Sequence, residues 1–335
     1  MSDFDRNLAI APIIRDIADI LMSKEHIAVL SHNSADGDTL GSGVAVCVAL
    51  HKLNKDVSLI YEEELPGYLS FLMAGHSFFR LYNEDDDEDN RSWDAIIIFD
   101  TADPKLLGKR MQMLKRCDCV INIDHHVSNH CYGDYNLIDT KASATAELAY
   151  HLNVALGVPL DNDTALAIYT GICTDTGGFS YSNTTYNSHE IAARTLRFGI
   201  DVALLRYKFF DATSHSKLRC QTYVANALRF YDNGRYAIAI VPATALEELG
   251  ATEADCEGLV NIGRNVEGVR VSILAREVRQ DEFRINLRSR GDFDVSAVAR
   301  KFDGGGHKLA AGCTILAGSS EIESILLDAL YGMKI

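Results

Sequence analysis

Four continuous apolar, β-rich runs, IAVLS (27–31), VSLIY (57–61), AIIIF (95–99) and CVINI (119–123), are each followed by a segment with helical spacing. None of them alternates apolar with polar residues, so each needs apolar cover on both sides. A parallel sheet with helices on both faces meets that need and defines an α/β chain. Ligands of such sheets gather outside the carboxyl ends of the strands. The polar residues that close the runs are therefore the candidates for function: His32, Asp36 and Asp38 after the first, Asp100 directly after the third, and Asp124 after the fourth, running on into His125 and His126. Asp175 joins them from YTGICTDTGGFSY (169–181), where an apolar helix meets a glycine-rich turn.

The rest of the chain divides by pattern. From about residue 185 the sequence turns helical, and strand signals return at 236–241, 269–277, 282–289 and 310–316. This predicts a catalytic domain over 1–185, a helical connector over 186–229 and a smaller α/β domain over 230–335. At 335 residues and 47% hydrophobic the chain can bury a large core. No run of eighteen apolar residues is present, and the acidic amphipathic N-terminus lacks the cationic flank of a signal peptide, which predicts a cytoplasmic protein without a membrane partner. Eight cysteines without a CxxC pair fit reduced thiols, and Cys117 and Cys119 are too close for an ordinary four-cysteine zinc site.

The formal charge of −15 is uneven: residues 1–190 carry 13 basic and 29 acidic side chains, residues 191–335 carry 19 and 18. Part of the excess is EDDDED (84–89), read as a solvated loop because blocks of like charge repel and extend. No extended cationic track exists for long nucleic acid, which argues against duplex DNA.

Five carboxylates and three imidazoles from four segments converge if the strands are neighbours. Unpaired, such a cluster repels itself and raises its own pKa values. Two divalent cations resolve the repulsion, and mixed oxygen and imidazole ligands without thiolate favour manganese or magnesium over a structural zinc; manganese is the expected ion. A metal pair about 3.5–4 Å apart polarises a phosphoryl group and holds a bridging hydroxide for in-line attack. A lone Asp at a strand end is more often a helix cap, the reading given to Asp103 and Asp139. Independent caps do not require the HxxxDxD spacing or a histidine doublet behind Asp124.

FDGGGHKLAAG (302–312) is a second signal: glycines let backbone amides approach an anion, and His307 and Lys308 add charge. Preceded by RINLRSR (284–290), with Arg288 and Arg290, it reads as a pocket for a phosphate or carboxylate.

These motifs, in this order, resemble those of the DHH phosphoesterases: SHNSADGDTLGS the first, FDTADP the second, DHH (124–126) the third and TGICTDTGGFSY the fourth, with GGGHKLAAG similar to the signature of the DHH-associated domain, DHHA1. The resemblance implies one metal held by His32, Asp36 and Asp100 and another by Asp38, Asp100, His125 and Asp175, with Asp100 bridging. It implies that His126 donates to the scissile phosphate while Asp124 orients the histidines. It also implies that Arg288, Ser289 and His307, with Gly305, Gly306 and more weakly Asn265, grip the remote end of the substrate. The compact architecture resembles the nanoRNase branch, which implies hydrolysis of short single-stranded RNA, removal of the 3′-phosphate from 3′-phosphoadenosine 5′-phosphate, and a homodimer. Two other readings stand beside it: a phosphohydrolase of polyphosphate or linear dinucleotide signals, and a nucleotide sensor without turnover.

Overall fold

In the computed structural model of the chain, residues 3–84 and 92–332 are described. Residues 85–89 of the run read as a solvated loop lie outside the described residues. The fold divides into two compact units, Met1–Ala212 and Thr213–Ile335, and the segment read as a connector is shared between them.

In the first unit β1 (His26–Ser31), β2 (Asp56–Tyr61), β3 (Phe79–Leu81), β4 (Ala95–Phe99), β5 (Val120–Asp124) and β6 (Tyr135–Ile138) form one sheet in the order β3-β2-β1-β4-β5-β6. Every pairing is parallel. Val29, Ile97 and Ile121 face a core shared with α1 (Asp3–Ser23), α2 (Gly37–Lys52), α3 (Thr145–Ala155) and α4 (Asn162–Asp175). The alternate residues Ala28, Leu30, Ile96 and Ile98 pack under Trp93 and under Leu107 and Met113 of a 3-10 segment, Pro104–Arg116. Both faces are thus covered, and all five residues of β4 are inaccessible to solvent. Burying each isoleucine there contributes about 1.5–3 kcal/mol. Helices α2 and α4 cross so closely that a Cβ on Gly41 would stand 2.4 Å from Ala167 O. Helices α5 (Tyr186–Thr195) and α6 (Val202–Arg206) complete the unit.

The second unit opens with α7 (His215–Ala227). Its sheet comprises β7 (Arg229–Tyr231), β8 (Tyr236–Val241), β9 (Val271–Arg279), β10 (Glu282–Ser289), β11 (Gly305–His307) and β12 (Ala310–Leu316) in the order β11-β12-β10-β9-β8-β7. Only β8 and β9 pair in parallel. One face packs on α11 (Val295–Ala299) and α12 (Ile322–Tyr331); part of the other is covered by α7 with α8 (Ala243–Glu248), α9 (Glu253–Cys256) and α10 (Asn261–Arg264). β10 alternates: Phe283, Ile285 and Leu287 are buried, while Arg284, Asn286 and Arg288 lie on the opposite face.

The GGGH stretch is part of this sheet: Gly305, Gly306 and His307 pair with Gly312, Ala311 and Ala310. Gly306 has φ +136°, and a Cβ there would stand 2.5 Å from Ala310 O, so only glycine fits. Among the described residues no helix is long and apolar enough to cross a membrane. All the cysteines are free thiols.

Candidate metal centre

Strand register assembles the site. Ser31 of β1 pairs with Phe99 of β4, and Phe99 with Ile123 of β5. The next residue on each strand is His32, Asp100 and Asp124, so three polar groups emerge side by side at the carboxyl edge. There β1 has β2 on one side and β4 on the other, the reversal of strand order at which open α/β sheets bind ligands.

Asp100 is the centre of this row. Its φ of +53° turns the chain sharply after β4, and it is only 4% exposed. One carboxylate oxygen lies 3.7 Å from His32 Nε2; the other lies 3.5 Å from both His125 Nε2 and His126 Nδ1 and accepts the Thr145 hydroxyl at 3.0 Å. Asp36 divides its oxygens similarly. Oδ1 caps α2 by accepting from the amides of Asp38 and Thr39, and Oδ2 lies 3.6 Å from His32 Nε2. Helix cap and candidate ligand are therefore one residue. Asp38, in the first turn of α2, accepts from the amides of Thr145 and Ala146 at 2.7 and 2.8 Å, at the start of α3. Asp175, the last residue of α4, lies 3.7 Å from His125 Nε2. His125 turns its other nitrogen to Ala142 O at 3.2 Å.

Asp124 stands apart in its partners. It is fully buried and its Oδ1 accepts from the amides of His125 and His126 and lies 2.8 Å from His126 Nδ1, while Asn129 donates to Oδ2 at 2.6 Å. These bonds tie it to both histidines of the doublet. Among the described residues three sets of side chains come close enough to hold an ion: His32, Asp36 and Asp100; Asp38, His125 and Asp175; and Asp100, His125 and His126.

The electrostatics describe a site short of positive charge. Burial, then the neighbouring Asp100, Asp175 and Asp36, push the Asp38 carboxyl well above its ordinary pKa. Asp175 is pushed up to about 6, chiefly by burial, with Asp100 and Asp36 adding to it against the pull of His125 and His126. Burial alone would lower His32, but hydrogen bonds to Asp100 and Asp36 raise it to about 9. The hydrogen bond to Asp124 raises His126. Protons here neutralise what cations would neutralise, and the donors are carboxylate oxygen and imidazole nitrogen, the set that hard and borderline divalent ions take.

In the second unit Arg288 and His307 are both opposite Ala310's row across β10, β12 and β11, on one face and about two strand spacings, ~10 Å, apart. Arg288 lines a cleft of about 590 Å³ with Arg276, Arg284 and Asn286. Gly305 is the glycine with open space where a side chain would be; Gly304 and Gly306 are packed against Cys313 and Ala311. Asn265 accepts from Arg290 at 3.3 Å. Ser289 is not brought to the Arg288 face: it is buried, and its hydroxyl donates to Phe293 O at 2.7 Å. Of the two acids read as caps, Asp103 caps the 3-10 segment through the Lys105 amide, whereas Asp139 holds a turn through the Lys141 amide.

Known proteins are similar to this chain in sequence and in fold. The DHH family, N-terminal domain, matches residues 26–172, and the DHHA1 domain matches residues 233–330. A Thermus thermophilus protein named bifunctional oligoribonuclease and PAP phosphatase NrnA is 32% identical over 90% of this chain and 88% of its own. This chain belongs to the DHH family. The Bacillus subtilis protein of the same name is 29% identical over 72% of this chain and 77% of its own. An exopolyphosphatase-related protein from Bacteroides fragilis superimposes with a TM-score of 0.84 at 27% identity, covering 96% of both chains. The exonuclease RecJ, solved with manganese, shares the fold at a TM-score of 0.56 and 14% identity, over 96% of this chain and 94% of its own.

Within this DHH domain the residues that give the site its shape include several that motif reading passes over. Thr145 ties Asp38 to Asp100 through its amide and hydroxyl, and Asn129 secures Asp124. Asn183 donates to the Asp175 side chain at 3.4 Å. Each is an ordinary polar residue in a loop or first helical turn, and only the fold brings it to the site.

Proposed function

We propose that this chain is a metal-dependent phosphoesterase that hydrolyses short oligoribonucleotides to mononucleotides and removes the 3′-phosphate of 3′-phosphoadenosine 5′-phosphate in the cytoplasm. The observation that carries this reading is the side-by-side row of His32, Asp100 and Asp124 at the switch point, ringed by Asp36, Asp38, His125 and Asp175. The names of the Thermus and Bacillus relatives support the substrate class.

His32, Asp36 and Asp100 would hold one divalent cation and Asp38, Asp100, His125 and Asp175 the second, with manganese preferred over magnesium for the imidazole share of the set. The pair supplies Lewis acidity at phosphorus and lowers the pKa of water to the physiological range. The chain's own groups do the rest. With Nδ1 held by Asp124 and a side chain 47% exposed, His126 would donate from Nε2 to a phosphoryl oxygen as charge develops. Thr145 keeps Asp100 and Asp38 in register. In the second unit Arg288 and His307, with the open backbone at Gly305, would take the anionic groups of the substrate, while Asn265 acts through Arg290.

A second reading, hydrolysis of polyphosphate, is favoured by the Bacteroides neighbour's description. One experiment separates them. Metal-stripped protein is given manganese and offered pApA, 3′-phosphoadenosine 5′-phosphate and polyphosphate in parallel, with Asp100→Ala as control. Manganese-dependent cleavage of the first two supports the proposal; cleavage of polyphosphate alone replaces it. Di- and trinucleotides compared with a twenty-mer then test size selection, which equal rates per end would refute.

A further inference from the structure

The charge that the site lacks has a counterpart just beneath it. Arg110 is completely buried, one of the largest side chains in the chain with no exposure. Its Nη1 donates to Ile60 O at 2.6 Å, and its Nη2 donates to Ser31 O at 2.9 Å and to Asn33 Oδ1 at 2.5 Å. Nε donates to Leu107 O at 3.3 Å, and the guanidinium stacks over the Tyr61 ring at 5.4 Å. Glu62 lies 3.9 Å from Nε and accepts from the Arg110 amide.

Of those four acceptors, Ser31 O and Ile60 O lie in the last two residues of β1 and β2, and Asn33 Oδ1 belongs to the residue after His32. The same segment reaches the loop twice more. Leu106 O accepts from the Asn33 amide at 3.0 Å. Gly108, at φ +59°, comes so close that a Cβ would stand 2.3 Å from Asn33 Nδ2 and 2.5 Å from Glu62 Oε1. Both neighbours of His32 are thereby fixed from below.

A buried cation is expensive to desolvate, and burial lowers the Arg110 pKa accordingly. A leucine or methionine would fill the same space in this apolar layer without that cost. What an aliphatic side chain cannot do is bind two strand-end carbonyls and a side-chain amide in one plane, which the guanidinium fork does. We propose that Arg110 is a positioning residue: by clamping Ser31 and Asn33 it sets the place of His32 relative to Asp36 and Asp100, and so governs the affinity of that cation position while leaving the position at Asp38, His125 and Asp175 largely alone. This rests on the two-cation reading given above.

The test is manganese binding by the full chain, followed through the electron paramagnetic resonance signal of the free ion, in wild type, Arg110→Lys, Asn33→Ala and Met113→Ala. Met113 is buried in the same layer and its side chain carries none of the clamp's hydrogen bonds, so its variant reports on general loosening. The proposal expects two wild-type sites, one of them weakened about 10–100-fold in Arg110→Lys and less in Asn33→Ala, the scale of losing a group that orients a ligand. Met113→Ala should bind as wild type. Asn33→Ala removes the bond accepted from Arg110 and the long one donated to Glu62 at 3.4 Å, leaves the guanidinium in place, and decides the matter if the lysine variant does not fold. Equal weakening of both sites, equal weakening in Met113→Ala, or wild-type binding in the Arg110 and Asn33 variants overturns the positioning role. Wild-type protein that binds no manganese overturns the metal centre itself, a separate and earlier failure.

Discussion

Asp124 holds His126 by Nδ1 at 2.8 Å, from a carboxylate that is itself fully buried and held by Asn129. The contact fixes the ring, and the hydrogen bond to Asp124 raises its pKa. Asp124→Asn should lower kcat about 10–100-fold and leave metal content intact. His126→Ala should cost roughly 10²–10³-fold, also with metal retained. Because the carboxylate acts through the ring, the double variant should be no slower than His126→Ala alone. Additive losses in steady-state kinetics would show that Asp124 acts by another route.

Asp100 faces both candidate cation positions, with one oxygen toward His32 and the other toward His125. Asp100→Ala should therefore remove turnover to background and lower the metal content of the protein, as measured by elemental analysis after gel filtration. Two ions retained in that variant would mean that the carboxylate is not shared.

The candidate site was legible because its members lie at the starts or ends of elements with a strong signal of their own. AIIIF and CVINI are buried strands by composition alone, and the next residue in each case is the acid that matters. Elements with no such signal went unread. β3 is three residues long, β6 is a short edge strand, and β11 consists of Gly305, Gly306 and His307, where glycine gives no strand propensity and the pairing with β12 creates the strand. The supporting shell was invisible for a different reason. Pro104–Arg116 contains five basic residues that look alike along the sequence, and only the fold selects Arg110 for burial. Ser289 shows the converse: adjacent to Arg288, it belongs to the opposite face of β10, because strand neighbours alternate.

Arg288 is half-buried, and burial together with the charge of Arg264 lowers its pKa. Arg288→Ala should raise KM for pApA about tenfold or more, the order of one lost charge-assisted hydrogen bond. kcat should change little, since the residue belongs to the unit that does not carry the metal cluster. An unchanged KM would remove Arg288 from substrate binding.

Asp161 couples the stability of the first unit to pH. It caps α4 by accepting from the Thr164 amide at 2.9 Å and pairs with Lys52 at the end of α2. Burial by itself would raise the carboxyl; the bonds from Lys52 and Thr164 outweigh it and hold the pKa below the usual value. A depressed folded-state pKa contributes stability above the unfolded pKa of about 4, lost as pH falls through the folded value. Asp161→Asn keeps a capping side chain and deletes the charge, so it should cost about 0.5 kcal/mol at pH 7, the order of an exposed ion pair. Asp161→Ala should cost about 1 kcal/mol at pH 7 through the lost cap. Trp93, the single tryptophan and fully buried against the sheet, reports this unit's urea transition by fluorescence. The gap between wild type and Asp161→Asn should narrow at pH 3. A gap of the same size at both pH values would assign the stabilisation to the cap's shape and not to its charge.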